Sequence, residues 1–439
     1  MNKINGNGKN NNDKKKNFLF VSNEALIGDV CWQIIKEGHE VKYYIKEADQ
    51  KDVCDGFVDK IDNWEEYIDW ADVIVFDDTG FGSVADKLRK NGKLVIGGSA
   101  YTDKLEEDRD FGQSELNSVG VPVLPHWTFT DFDEAIEFVK NNPDRYVLKP
   151  SGKAQSDKEL MFIGHEEDGK DLILVLDHYK KAWSKKIKVF QLQKHAPGVE
   201  IAVGVFFNGK DFIMPINVNF EHKRMFPGEI GPSTGEMGTM MYWSQKNKIF
   251  HMTMEKMKEK LIASGYVGYI DINCIVNSKG IWPLEFTVRF GYPTISIQME
   301  GILTPIGEFL YSLASGEDFT FKTKKGFQIG VVIAVPPFPF NDNNAFKRYS
   351  EDAVILFKKD DRSGVHIGDV KIIDDDWKMA GVSGYALVIT ASSITVQSAR
   401  EKTYERVSNI MLPNMFWRTD IGLRWNSDSD KLQTWGYLF

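Results

Sequence analysis

Between residues 17 and about 100, apolar runs alternate with helical spacings, and this alternation restricts the fold more than any other feature of the chain. "NFLFVS" is an apolar run, and "IGDVCWQIIKEG" sets Val30, Ile34 and Ile35 at helical spacing before stopping at Gly38. "HEVKYYI" reads as a second strand, and "DVIVFDD", "VADKLRKNG" and "KLVIGG" continue as strand, helix and strand. A βαβαβ order predicts a parallel sheet with helices on its faces, so residues 17–102 form a doubly wound α/β domain. In dinucleotide-binding versions of such folds the first strand-to-helix turn carries a glycine-rich phosphate loop. Here it reads "VSNEALIGD", with Glu24 and Asp29 and no GxGxxG, which argues against a dinucleotide site.

The character changes near residue 103. "DKLEEDRDFGQSELNSVG" is a charged helical stretch, "VPVLPHWTF" is extended, and "DEAIEFVKNN" is again helical. "RYVLKPSGKAQSDKELMFIG" predicts a strand carrying Lys149, a Gly/Ser turn flanked by Lys153 and Lys158, and a second strand. Taken alone this is either an ordinary hairpin with solvated lysines or a lid over phosphates. "KVFQLQKHAPGVEIAVGVFFNG" and "FIMPINVNFEHKR" read as antiparallel strands with hairpin turns at Pro197-Gly198 and Asn208-Gly209. "GPSTGEMGT" reads as a glycine-rich loop and "FHMTMEKMKEKLIASG" as one amphipathic helix, before a strand pair in "YVGYIDINCIV" and "GIWPLEF". A smaller domain begins near "GFQIGVVIAVPPFP", and its late segment "TVQSAREKTYERVSNIM" reads as an amphipathic helix.

Composition narrows the function classes. The chain has 439 residues, 42% of them hydrophobic, enough for several packed cores. Lys plus Arg number 54 against 63 Asp plus Glu, a net charge of −9 that argues against nucleic-acid or anionic-membrane partners. Cys31, Cys54 and Cys274 are scattered, without metal-site spacing, and fit a reducing, cytoplasmic setting. No apolar run approaches the roughly 20 residues a spanning helix needs. The Asn/Lys-rich residues 1–16 lack a signal-peptide core and are expected to be a disordered tail.

The order of pieces, with "GVE" at 198–200, "EHKR" at 221–224, "GPSTGEMG" at 231–238, "LEFTVRFG" at 284–291 and "WRTDIGLRW" at 417–425, resembles the ATP-grasp ligases. Within them it is similar to the glycinamide ribonucleotide synthetase (phosphoribosylamine–glycine ligase) family of purine biosynthesis, whose corresponding motifs are DHKR, GPNTGGMG, EFNCRFG and YRxDIGxRA. The resemblance implies an α/β and α+β multidomain chain. Its parts are a Rossmann-like pre-ATP-grasp domain over 17–102, an ATP-grasp domain over 103–325 with a lid at about 146–200, and a small C-terminal domain over 326–439. It also implies an ADP-forming carbon–nitrogen ligase that makes an acyl phosphate with ATP and Mg²⁺ (or Mn²⁺) and joins a small-molecule carboxylate to an amine. By the same resemblance Arg109, Lys149, Lys158 and Glu200 would hold ATP. Glu285, Asn273 and Asp271 would supply metal ligands, hard oxygens of the kind Mg²⁺ takes. Arg289, Lys158 and His222 would serve catalysis, with Arg289 reaching the phosphoryl group and pairing with Glu285. Solvent-facing or purely structural roles are the plain alternatives for Glu200, His222 and the Glu285/Arg289 pair.

The departures cluster on the acceptor side. The family's GNGGREH turn is replaced by "SNEALIGD", where Glu24 or Asp29 would repel a phosphate and attract an ammonium group. EFNCRFGDPE has become "EFTVRFGYPT", which puts Thr287, Tyr292 and Thr294 where the family has Asn, Asp and Glu. Glu24, Asp78, Lys223, Arg224, Ser233, Thr234, Thr287 and Tyr292 are therefore the expected substrate-contacting residues, for an acceptor that differs from the family's. Authentic glycinamide ribonucleotide synthesis, or an ATP-binding homologue with weakened catalysis, are the alternatives.

Overall fold

A computed structural model describes residues 15–151 and 160–438 of the chain. Strands β1 (Asn17–Ser22), β2 (Glu40–Ile45), β3 (Val73–Phe76) and β4 (Val95–Ile96) form a sheet of order β2-β1-β3-β4, parallel throughout. β1 is apolar along most of its length because both faces of the sheet are covered, which leaves Phe18 to Val21 fully buried. Helix α1 (Gly28–Lys36) turns Val30, Cys31 and Ile34 inward, and α2 (Gly82–Lys90) follows β3.

The charged stretch after residue 100 is two helices, α3 (Ala100–Glu107) and α4 (Arg109–Ser118). Asp108 separates them in extended conformation and caps α4 by accepting from the Phe111 amide. Strands β5 (His126–Phe129), β6 (Tyr146–Pro150), β7 (Phe162–Ile163) and β8 (Phe190–Lys194) make an antiparallel sheet of order β5-β8-β6-β7 over its own apolar core. The Pro197-Gly198 turn therefore does not close a hairpin, since β8 lies in this sheet and the next strand lies in another.

That other sheet has eight strands. Its labelled members are β9 (Val199–Asn208), β10 (Phe212–Glu221), β13 (Gly238–Ser244), β14 (Val267–Asn277), β15 (Gly280–Thr287) and β16 (Phe327–Ala334). The order is β15-β14-β9-β10-β13-β16, completed by Tyr385–Ser393 and Val365–Ile367, so the sheet continues across residue 326. β11 (Arg224–Phe226) and β12 (Ile230–Ser233) form a separate two-stranded ribbon in the connection from β10 to β13. The amphipathic stretch near 250–265 is broken into Lys248–Met252, a 3₁₀ turn at Met254–Met257, and Lys258–Ser264. The helix read near the C-terminus forms as Val396–Ser408 and packs on β16 and Tyr385–Ser393. Among the described residues no helix is long and apolar enough to cross a membrane.

Candidate active site

Charged side chains gather where the sheet of β5–β8 faces the eight-stranded sheet. β14 and β15 pair so that Asn273 lies opposite Glu285, and Asp271 opposite Thr287. With a side-chain period of two, Asp271 and Asn273 share one face of β14. Lys223 follows β10, and its ammonium reaches Glu200 Oε1 at 2.9 Å, Glu221 Oε2 at 3.3 Å and Glu285 Oε1 at 3.7 Å. Arg109, the first residue of α4, donates from a guanidinium nitrogen to Glu285 Oε2 at 3.2 Å. Lys149 comes from β6 in the opposite sheet, is 7% exposed, and makes no ion pair with any described residue.

The electrostatics follow from this placement. Burial, then the neighbouring Arg109, push the Lys149 ammonium down to about 7, from an ordinary value of about 10.4. Burial works against charge on Lys223 too, but Glu200, Glu221 and Glu285 outweigh it and hold the ammonium well above its usual range. Glu200 would be raised by burial, yet Lys223 keeps its carboxyl below the usual range. Lys149 thus stands apart as a buried cation short of a counter-charge, the environment in which an anionic ligand is bound strongly.

Metal-ligating capacity centres on Glu285 and Asn273. Asn273 donates its amide N–H to Glu221 Oε2 at 3.1 Å, which leaves its carbonyl oxygen buried and without a partner among the described residues, on the residue paired with Glu285. Asp271 also has an unpartnered oxygen, but burial, then Glu221, lift its carboxyl well above the carboxylate range. No group of three or more His, Cys, Asp or Glu among the described residues is arranged to hold a metal alone. Glu285 and the Asn273 oxygen suit an ion that draws its remaining ligands from phosphates and water, as Mg²⁺ does.

Arg289 does not pair with Glu285. Its guanidinium lies 3.3 Å from Asp78 Oδ1 and 3.0 Å from Glu106 Oε1, and it also donates to the Phe290 carbonyl at 3.0 Å. The reason is geometric: β15 ends at Thr287, and the Val288 amide donates to Glu106 Oε2 at 2.8 Å, so the chain leaves the strand before Arg289. A second cluster forms there, in which Ser22 Oγ donates to Asp77 Oδ2 at 2.6 Å and the Tyr292 hydroxyl donates to the same oxygen at 3.4 Å. Burial, then Asp78, push the Asp77 carboxyl up to about 8. Glu24 sits at the exposed lip, its carboxyl raised by partial burial and then by Asp78.

Other expected residues fall elsewhere. His222 is buried beneath the face, and burial followed by Arg424 and Arg418 lowers its ring to about 3, so it is neutral at physiological pH. Arg224 and Ser233 pair in the β11–β12 ribbon, and Thr234 donates back to the Lys223 carbonyl at 2.8 Å, bracing that lysine. Asp29 is not free to meet a ligand: it accepts from the Ile367 amide at 3.2 Å and lies 2.7 Å from His366 Nδ1. Lys158 lies outside the described residues. Glu221, Glu106 and Asp77 were not singled out from sequence. Glu221 opens "EHKR" and could have been noticed, whereas Glu106 is one acid among several on a charged helix.

Residues 107–295 match the family described as phosphoribosylglycinamide synthetase, ATP-grasp (A) domain. Phosphoribosylamine–glycine ligase of Listeria monocytogenes serotype 4b is 26% identical over 361 residues, 78% of this chain and 81% of the relative. The enzyme of that name from Streptococcus pyogenes serotype M1 is 24% identical over 369 residues, 82% and 84%. Phosphoribosylamine–glycine ligase of Thermotoga maritima superposes with a TM-score of 0.70 at 20% identity, over 92% of this chain and all of that one, 100%. Biotin carboxylase of Campylobacter jejuni superposes with a TM-score of 0.64 at 15% identity, over 97% of each chain. Motif order, the matched domain and the shared fold agree: the chain is an ATP-grasp ligase similar to the phosphoribosylamine–glycine ligases, an ATP-dependent enzyme that forms carbon–nitrogen bonds.

Proposed function

We propose that this chain phosphorylates a small carboxylate with ATP and passes the acyl group to an amine, releasing ADP and phosphate. The carboxylate oxygen takes the γ-phosphoryl group as ADP leaves. The amine nitrogen then forms the C–N bond while the acyl C–O bond breaks and phosphate departs. The observation that carries this reading is the convergence of Lys149, Arg109 and Lys223 with Glu200 and Glu285 between two sheets, with Lys149 buried and in no ion pair with a described residue.

In this reading Lys149 and Arg109 meet the ATP phosphates, with Lys158 as a further phosphate contact, and Glu200 accepts from the ribose hydroxyls. Glu285, with Asn273 and in second place Asp271, would hold Mg²⁺ or Mn²⁺, which when bound neutralises the phosphate oxygens. Arg289 would stabilise the acyl phosphate, and Thr287 and Tyr292 would border the carboxylate and amine. His222, being neutral and buried, would act by packing under Lys223 rather than by proton transfer. The division into 17–102, 103–325 and 326–439 belongs to the same proposal, with ATP between the β5–β8 sheet and the eight-stranded sheet.

Glycinamide ribonucleotide synthesis itself is the second reading, favoured by the names of the curated relatives. ADP release measured with MgATP against a panel of carboxylic acids and amines, glycine with phosphoribosylamine included, tests both. ADP formation that requires one acid and one amine is expected. Turnover on glycine and phosphoribosylamine near the enzyme median, on the order of 10 per second, would decide for the second reading. MgATP binding without ADP formation from any pair would overturn both.

A further inference from the structure

β1 and β3 are neighbours in the parallel sheet, and the chain leaves them in opposite directions, toward β2 and toward β4. Their carboxyl ends thus form the topological switch point, where open α/β sheets bind ligands. At that point β1 ends beside Asn23 and Glu24 and β3 beside Asp77 and Asp78, while Arg289 and Glu106 close the far side. Glu47 and Asp49 add negative field at Glu24, and Glu24 in turn acts on Asp369 of the C-terminal region. Arg289 is the cation that Glu24, Asp77 and Glu106 all sense.

A separate observation points to a ligand with hydrogen-bond donors. Asp77 is 1% exposed, and its Oδ1 has no hydrogen-bond partner among the described residues. The Asn23 amide oxygen, at the end of β1, is buried and unpartnered as well. Buried acceptors left open are costly, and a donor brought by a ligand relieves them. The same turn offers a phosphate little. A Cβ on Gly28 would fall 2.2 Å from Cys54 Sγ, so that glycine serves packing and does not open a cradle. The Ala25 amide is already donated to Ser22 Oγ at 3.0 Å, and Asp29 places a carboxylate in the first turn of α1.

We infer that the amine acceptor carries a second positive charge and no phosphate, the diamine class, held by Glu24, Asp77 and Asp78 beside Arg289. This deepens the ligase reading and rests on it. One nitrogen of the diamine gives its ammonium proton to a carboxylate of the cluster and, as the neutral amine, attacks the acyl carbon; the C–O bond to phosphate breaks, and the second proton released from that nitrogen leaves with the phosphate. The other nitrogen remains an ammonium ion paired with Glu24 at the lip.

Calorimetric titration of the full chain with propane-1,3-diamine and, separately, with ribose 5-phosphate tests this. The diamine is expected to saturate one site and ribose 5-phosphate none. Glu24→Gln is expected to weaken the diamine at least tenfold. Asp78→Asn is expected to do the same, but Asp78 also holds Arg289, so the exposed Glu24 is the deciding position. Saturable ribose 5-phosphate binding, no diamine binding, or diamine affinity unchanged in Glu24→Gln would each overturn the inference. MgATP titrations of the same samples separate the two failures: loss of nucleotide binding overturns the ligase reading, and intact nucleotide binding with phosphate selectivity overturns only the acceptor class.

Discussion

The proposed nucleotide face and the proposed acceptor crevice both bury charge, but they balance it differently. On the first, Lys149, Arg109 and Lys223 meet Glu200, Glu221 and Glu285, and the carboxylates serve largely to hold cations in place. In the second, Glu24, Asp77, Asp78 and Glu106 surround Arg289, and burial raises the carboxyls of Glu24, Asp77 and Glu106 by more than Arg289 lowers them. A surface that must bind a polyphosphate keeps a spare cation, whereas one that keeps spare carboxylates is suited to a cation. Under the proposed function ATP would meet the face on one side of Arg289 and the acceptor the crevice on the other.

The sharpest way to break the contrast is Glu285→Gln. The change removes the carboxylate that Arg109 and Lys223 both contact, the group proposed above as the first metal ligand. ADP formation is expected to fall by about a hundredfold or more, the scale of losing one preorganised electrostatic stabiliser. Diamine binding at the switch point is expected to stay within about twofold, since the ion pairs of Glu285 with Arg109 and Lys223 lie on the other face. Equal losses at both sites would dissolve the distinction.

Lys149 gives a test with a definite sign. Its folded pKa of about 7 lies below the ordinary value of about 10.4. Between those values the unfolded chain holds more protons, so the stability of the unliganded protein rises with pH across this window. Below pH 7 both states are protonated and the desolvation penalty is fully present. Lys149→Met is therefore expected to melt higher than the parent near pH 6.5, with the gap closing toward pH 10. Phosphates arriving beside Lys149 would restore its proton. MgATP binding at pH 8 is expected to take up a large fraction of one proton, measured by calorimetry in buffers of different ionisation enthalpy. Lys149→Met abolishes the uptake if this lysine meets the phosphates.

Glu106→Gln probes the join between the two regions. Glu106 accepts from the Val288 amide at 2.8 Å and sits 3.0 Å from the Arg289 guanidinium, so it fixes where that arginine points. A loss of about tenfold in kcat is expected, the lower end of what supporting partners of a reacting group cost, with the KM for ATP little changed. A rise in that KM with constant kcat would place Arg289 on the nucleotide side instead.

Much of this was legible before the structure. The alternation over 17–102 specified the parallel sheet, and "LEFTVRFG" with "GVE" and "EHKR" marked the segments whose Glu285, Glu200 and Lys223 the fold brings together. Pairing within a loop was not legible. Glu285 and Arg289, four residues apart, invited an ion pair, but the strand ends between them and their partners come from α4, α3 and the end of β3. Sequence separation says nothing about such partners, and a helix ending in Glu106 and Glu107, with Asp108 next along the chain, does not reveal which acid turns inward. The same limit hid the different fates of Glu24 and Asp29. They share one turn, and only the arrival of Val365–Ile367 beside α1 decides that Asp29 is consumed.

That last distinction carries the smallest prediction. Asp29 accepts from the Ile367 amide, lies 2.7 Å from His366 Nδ1 and accepts from Ser296 Oγ at 3.3 Å, and His366 in turn meets Thr390 Oγ1 at 2.9 Å. The carboxylate therefore ties the first helix to strands that lie far along the chain, and it is spent on that bond. Asp29→Asn keeps the volume but replaces one acceptor oxygen with a donor facing partners that already donate. It is expected to cost about 1–3 kcal/mol of stability, the penalty for a buried group left unsatisfied, seen as a lower midpoint in urea unfolding. MgATP affinity and diamine affinity are both expected to remain within about twofold of the parent. A selective loss of diamine binding with unchanged unfolding would instead move Asp29 into the acceptor crevice beside Glu24.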